Sequence, residues 1–259
     1  MITLPLAGLE VVMLAAVRIV AFLFVAPPFA HRGIPATVKA MLATALGLLV
    51  MPRAVAAAGP EVGTVIASGT ARFVGDLLLQ VVIGAGLGFL VALVFAAVTS
   101  AGNLIDLFGG FQLAQAFDPL AATNGAQFSR LYQMSAVVLL FASGGHLLVV
   151  AGVARTFDAL PLGTPLDLGA LGAAATEGLT GMFVAALQIA GPLVAVLFLA
   201  DVGLGLLTRV APALNAFALG FPLKILLTIV LGVSAYLALP EIVGSLTDDA
   251  VGAVLEVGR

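Results

Sequence analysis

The sequence predicts an all-α, multi-pass membrane protein, and three observations carry that reading. Hydrophobic residues make up 62% of the 259 and charged residues only 9%, where a soluble domain carries roughly 25% charged residues. Mean hydropathy is +1.25, so the surface has too few polar groups to meet water everywhere and must face lipid, other subunits, or both. Apolar runs recur along the whole chain with no charged or Ser/Pro-rich linker between them, which reads as one domain over 1–259. In hydrocarbon the backbone has to satisfy its own hydrogen bonds, so such runs become helices.

The first run extends from Leu9 to Ala30, interrupted by Arg18 and stopped by Pro27-Pro28. Met1 to Glu10 has no basic stretch and holds an acid, unlike a cleavable signal peptide, so this run is expected to be retained. The second, Val38 to Met51, lies between Lys39 and Pro52-Arg53. It falls short of the ~20 residues that span a bilayer and reads as buried or re-entrant. A small-residue loop, Ala54 to Gly75, follows. The third run is uncharged between Asp76 and Asp106, the fourth covers Leu131 to Ala154, and the fifth Gly178 to Ala200.

A broken stretch, Asp201 to Lys224, is punctuated by Gly203, Gly205, Pro212, Gly220 and Pro222. The sixth run, Ile225 to Leu239, ends at Pro240-Glu241, and the tail 241–259 reads as a surface helix. The total is five or six hydrophobic helices, some broken or re-entrant. The thinly spread basic residues leave membrane orientation open.

Composition also excludes chemistry. Ten Lys+Arg against thirteen Asp+Glu give a net charge of −3, so there is no basic field for nucleic acid. With no Cys, disulfides, thiolate metal sites and a thiol nucleophile are out. His31 and His146 are the only histidines, and neither stands at metal-ligand spacing from a second ligand. Ser143 lacks the upstream glycine of a nucleophile elbow, and there is no Walker loop. The expectation is a protein that is not an enzyme and carries no cofactor.

Four charges sit in or beside apolar runs: Arg18, Asp201, Arg209 and Lys224. At a helix centre a charge costs about 2.5–3.5 kcal/mol. Long basic side chains at helix ends either snorkel to an interface or find a partner, and both readings stand for Arg209 and Lys224. Arg18 is deeper and calls for a buried polar partner. Asp201 and Arg209 lie eight residues apart, ~12 Å along a helix, so they cannot pair within one helix, and any partner of Asp201 lies elsewhere. Gly84 and Gly88 form a small-xxx-small pair in an apolar helix. Such a pair permits close backbone approach, within the chain or between subunits.

The segment Leu107 to Ser129 is unlike an exposed loop. It has a single acid, Asp118, yet carries Phe108, Phe111 and Phe117 among Gln112, Gln115 and Gln127. Gly109-Gly110 and Asp118-Pro119 are turn signals. Irregular backbone at membrane depth is tolerated only where it is buried in protein or lines a cavity. Neutral amides with bulky apolar side chains suit a seal that moves without separating ion pairs. A re-entrant or plug segment and a plain buried loop both remain open.

The stretch from Asp201-Val-Gly-Leu-Gly through Arg209, Pro212, Asn215 and Gly220-Phe-Pro-Leu-Lys224 resembles the signature of the FliR family of flagellar biosynthetic proteins. Ala26-Pro-Pro-Phe29, Ala101-Gly-Asn-Leu-Ile-Asp106 with Phe117-Asp-Pro119, and Ser143-Gly-Gly-His-Leu147 are similar to further family features, so the resemblance covers nearly the whole chain. Flagellar members often carry an acid where Gly144 stands, and the injectisome counterpart is the alternative branch. A small-molecule permease is the more distant rival, although such transporters show repeated halves with matching broken helices, and only one strongly broken block is present.

The resemblance implies a subunit of the type III export gate in the cytoplasmic membrane and flagellar basal body. There it would pack in a helical hetero-oligomer with P-type and Q-type subunits, the B-type switch protein and the A-type export protein. Unfolded substrate proteins would pass through its pore, driven by the proton-motive force and an ATPase elsewhere. Carried onto this chain, the plug would be Phe108, Gly109, Gly110, Phe111, Gln112, Leu113, Gln115, Phe117 and Asp118. Arg18, Gly84, Gly88, Asp201, Arg209, Pro212, Asn215, Gly220, Pro222 and Lys224 would form scaffold and subunit contacts.

Overall fold

In the computed structural model the described residues are 6–31, 33–58, 70–112, 127–211, 216–237 and 239–256. Among them eight α-helices account for nearly all of the regular structure, with no strand. They are α1 Leu6–Val25, α2 Ala36–Ala58, α3 Thr70–Phe108, α4 Gln127–Ala142, α5 Gly145–Ala159, α6 Leu168–Val210, α7 Ala216–Leu237 and α8 Leu239–Glu256. α1, α2, α3 and α6 are each long and apolar enough to cross a membrane, and the bent pair α4–α5 makes a fifth if taken as one span. The chain is thus a polytopic helical membrane protein.

Several boundaries differ from those expected. α2 does not stop at Pro52 but runs through it for 23 residues, long enough to span. Pro222 likewise lies inside α7, and the fifth run continues through Pro192 as expected. Membrane helices tolerate this because neighbours and local adjustments re-satisfy the freed carbonyl. The supposedly broken stretch is therefore helical up to Val210 and again from Ala216. Pro212 and Asn215 lie outside the described residues. The fourth run, read as continuous, is interrupted at Ser143-Gly144, where Gly144 takes φ +74, a left-handed conformation that glycine adopts without steric cost.

The chain divides into two compact units. The first comprises Met1–Val94, Ser143–Leu179 and Leu246–Arg259. Its centre is α1, whose Val11, Val12, Leu14, Ala15, Ile19, Phe22 and Leu23 are all buried. Their recurrence at three- and four-residue steps is the core face of a helix. α1 meets α3 where Gly84 lies against the Arg18 carbonyl and Ala21, and Gly88 against Phe22 and Val25. A methyl at Gly84 would collide with that carbonyl oxygen, so the two helices pack backbone to backbone.

The second unit comprises Phe95–Ala142 and Thr180–Ser245. Its buried apolar residues are Ala97, Val98, Ala101 and Ile105 on α3, Tyr132, Ala136 and Leu140 on α4, and Ala186, Ile189, Ala190, Leu193 and Leu197 on α6. In both units large apolar side chains remain outside, among them Met41, Leu49, Val138 and Leu199. That is the surface a lipid or protein neighbour must cover.

Candidate gate segment

The segment expected to act as a plug is described from Leu107 to Gln112 and again from Gln127. α3 ends at Phe108, and Gly110 turns the chain with φ +81. The turn is closed by backbone bonds from Gly109 N–H to the Ile105 carbonyl at 2.8 Å and from Phe111 N–H to the Asp106 carbonyl at 3.0 Å. Such bonds satisfy carbonyls that a helix end leaves without partners. Gly109 and Gly110 are buried, the first beside the Thr228 hydroxyl and the second beside the Phe221 ring. Phe108 and Phe111 are half-buried and Gln112 is exposed. Leu113, Gln115, Phe117 and Asp118 lie outside the described residues.

The chain is described again from Gln127, at the start of α4. Here a residue absent from the expected site proves central. The Asp106 side chain is fully buried, and its Oδ1 accepts the Phe128 N–H at 3.0 Å while Oδ2 accepts the Ser129 N–H at 2.9 Å. A carboxylate at a helix N-terminus satisfies orphan donors and complements the positive end of the dipole. The approach depends on Gly102, one turn before Asp106 on the same face of α3, because a side chain there would overlap the backbone of Phe128 and Ser129. Phe111 and Phe128 then meet edge to face with ring centroids 5.2 Å apart.

Elsewhere in this unit Lys224 Nζ lies 2.6 Å from Asp201 Oδ1. The partner that Asp201 was expected to have elsewhere in the chain or on another subunit is therefore Lys224, within the chain. Arg209 is exposed. Gly220 is buried beside Leu204, and Pro222 is exposed. The Ser135 and Tyr236 hydroxyls are 2.9 Å apart, joining α4 to α7.

In the first unit Arg18 has the polar surroundings its depth demands, supplied by an amide and two backbone carbonyls. Its Nε donates to Gln80 Oε1 at 2.7 Å, Nη1 to the Thr156 carbonyl at 3.3 Å and Nη2 to the Leu160 carbonyl at 2.9 Å. The guanidinium also stands 4.2 Å from the centre of the Phe157 ring. It thus caps the C-terminal end of α5, where cations are favoured. Among the described residues no group of three or more His, Cys, Asp and Glu is placed to hold a metal ion.

Sequence spacing could not have found the Asp106 cap, since its partners lie 22 and 23 residues away. One local signal was present: Asp106 is the charge that ends the third apolar run.

Residues 9–250 match the model of the family "Bacterial export proteins, family 1". The chain is 33% identical to the flagellar biosynthetic protein FliR of Escherichia coli K12 over 87% of its own length and 82% of the relative's. It is 35% identical to FliR of Pectobacterium carotovorum over 81% and 77%. It is also similar to the surface presentation of antigens protein SpaR of Shigella flexneri, at 27% identity over 58% of each chain. With a family match over nearly its whole length and FliR relatives above 30% identity, this chain belongs to the bacterial export proteins, family 1.

Proposed function

We propose that this protein is a subunit of the type III protein export gate of the bacterial flagellum, set in the cytoplasmic membrane at the basal body. It forms part of the channel for unfolded flagellar proteins and contributes the plug. The observation that supports this most strongly is the family match across residues 9–250 of a helical membrane chain. The flagellar branch is favoured over the injectisome branch because FliR relatives are more identical and align over more of the chain than SpaR does.

In this reading 1–259 acts as a single domain, with Leu107 to Ser129 as the plug loop and 241–259 as a C-terminal tail. The exposed apolar faces of α2 and α6 meet P-type and Q-type subunits, the B-type switch protein, the A-type export protein, and lipid. Gly84, Gly88 and Arg18 hold the scaffold. Asp201, Arg209, Pro212, Asn215, Gly220, Pro222 and Lys224 shape the surface that partners use. The protein catalyses no reaction and takes no cofactor. Neutral Phe and Gln side chains at the plug suit a seal, because they exclude ions by packing and separate without breaking a salt bridge.

Copurification tests the reading. A tagged chain extracted in mild detergent should emerge in a stable hetero-oligomer with the other export subunits. Recovery only as a monomer or homo-oligomer with its own solute transport activity would instead make it a permease.

A further inference from the structure

We infer that the cleft between α1, α2 and α5 holds one acyl chain of an anionic phospholipid, with the phosphate at Arg53 and Arg155. The inference needs only the membrane location of the chain and stands apart from the plug reading. The cleft lies within the first unit and has a volume of about 250 Å³. Phe22 and Leu23, each 1% exposed, line it from α1, Val50 from α2 and Val153 from α5. Every side chain on its wall is Ala, Val, Leu, Ile or Phe. Water needs polar partners that this wall does not offer, so what fills the cleft is hydrocarbon. Leu49 and Leu147 on its rim are 75% and 64% exposed, so the cleft opens on a surface that already needs an apolar cover. On α5 the wall runs from Leu147 to Ala154, ~10 Å of helix. Such a space suits a narrow, flexible chain. A helix 10–12 Å across can lie over it but not within it.

The charge at one end of the cleft selects a phospholipid. Arg53 stands one turn beyond Leu49 on α2, and Arg155 one turn beyond Ala151 on α5, each on the face that lines the cleft. Arg53 Nε is 3.2 Å from Asp158 Oδ2, so both helices bring their charges to the same end. Arg155 is exposed and has no carboxylate partner among the described residues. α2 and α5 both finish within two turns of these side chains, at Ala58 and Ala159, where basic residues reach the headgroup level. A bare helix C-terminus would repel an anion. Here the Thr156 and Leu160 carbonyls already accept from the Arg18 guanidinium. This end therefore sets three guanidinium groups against one carboxylate beside an apolar cleft, which matches an anionic headgroup joined to a hydrocarbon chain.

The chain has no Trp, so a single introduced Trp reports its own surroundings. Leu147→Trp places one on the rim of the cleft, Leu49→Trp one across from it, and Leu199→Trp one on the exposed apolar face of α6. Each full-length variant is reconstituted in phosphatidylcholine vesicles. Its fluorescence is titrated with phosphatidylglycerol or phosphatidylcholine brominated along the acyl chain. Leu147→Trp should reach half-quenching at about fivefold lower mole fraction of phosphatidylglycerol, the worth of one basic residue beside an anionic headgroup. Leu199→Trp should show no preference. Adding Arg155→Gln should bring the two lipids together, and adding Ala151→Phe, which fills the cleft, should reduce the response to that of Leu199→Trp. Equal quenching by both lipids at the rim, or a preference that survives Arg155→Gln, would overturn the proposal. Quenching present in the isolated chain but lost in the purified assembly would give the cleft to a neighbouring subunit and overturn it as well. Both rim positions are exposed, so the fold does not depend on them, and Leu49→Trp decides by the same criteria should Leu147→Trp express poorly.

Discussion

Arg18 and Asp106 are both fully buried charges on apolar helices, and both are held by neutral amide and backbone groups. Each is neutralised by a helix end. Asp106 receives the N–H groups at the start of α4, and Arg18 donates to the carbonyls at the end of α5. The signs follow the helix dipole, acid at the N-terminus and base at the C-terminus. α4 is thus pinned at its start by an anion, within the second unit, and α5 at its end by a cation, within the first.

The difference lies in what surrounds each charge. Arg18 is enclosed by Gln80, two carbonyls and the Phe157 ring, all on helices of the first unit or just past the end of one. Asp106 sits beside the turn that leads into the candidate plug. Arg18 thus joins α1 to α3 and to the end of α5, whereas Asp106 joins the end of α3 to the start of α4.

The largest effect should come from Arg18. Arg18→Met keeps an apolar stem but leaves the Thr156 and Leu160 carbonyls and Gln80 Oε1 without their donor. A buried polar group left unpaired costs about 1–3 kcal/mol, and here three acceptors lose their donor together. Thermal unfolding in detergent, followed by circular dichroism, should fall steeply, with Arg18→Lys between the two because one ammonium cannot reach all three acceptors. A melting curve for Arg18→Met that overlays the wild type would remove the contrast with Asp106. A smaller loss, about 1 kcal/mol, is expected for Tyr236→Phe, which strands the buried Ser135 hydroxyl. The same melting measurement checks it.

The two units also differ in how much of them was legible in the sequence. Helical class and most of the apolar spans follow from composition and run length, because the bilayer permits few other solutions. The glycine pair on α3 and the need for a polar partner at Arg18 were likewise readable, since an apolar helix makes a charge or a small-residue pair conspicuous. What sequence could not supply were pairings across long separations. Asp106 with Phe128 and Ser129, and Asp201 with Lys224, arise from tertiary approach and leave no periodic trace. Prolines misled in one direction and glycines in the other. Pro52 and Pro222 were absorbed within helices, while Ser143-Gly144 broke a run that hydropathy alone had read as continuous.

The smallest effects separate ion pairs by exposure and sharpen the contrast between enclosed and open charges. Lys224 and Asp201 are 20% and 45% exposed, whereas Arg53 and Asp158, 3.2 Å apart, are 52% and 50% exposed. Exposed pairs contribute about 0–1 kcal/mol and are weakened by salt. Double-mutant cycles with Lys224→Met and Asp201→Asn should give a coupling near the upper end of that range. Arg53→Met with Asp158→Asn should give one near zero. Both belong well below the loss from Arg18→Met, because water or headgroups can replace a partner at an exposed site and nothing can do so for a guanidinium enclosed at a helix end. A coupling for Arg53–Asp158 as large as the Arg18 effect would mean that this pair is shielded in the membrane or the assembly, and that exposure in the isolated chain is the wrong measure of where its charges matter.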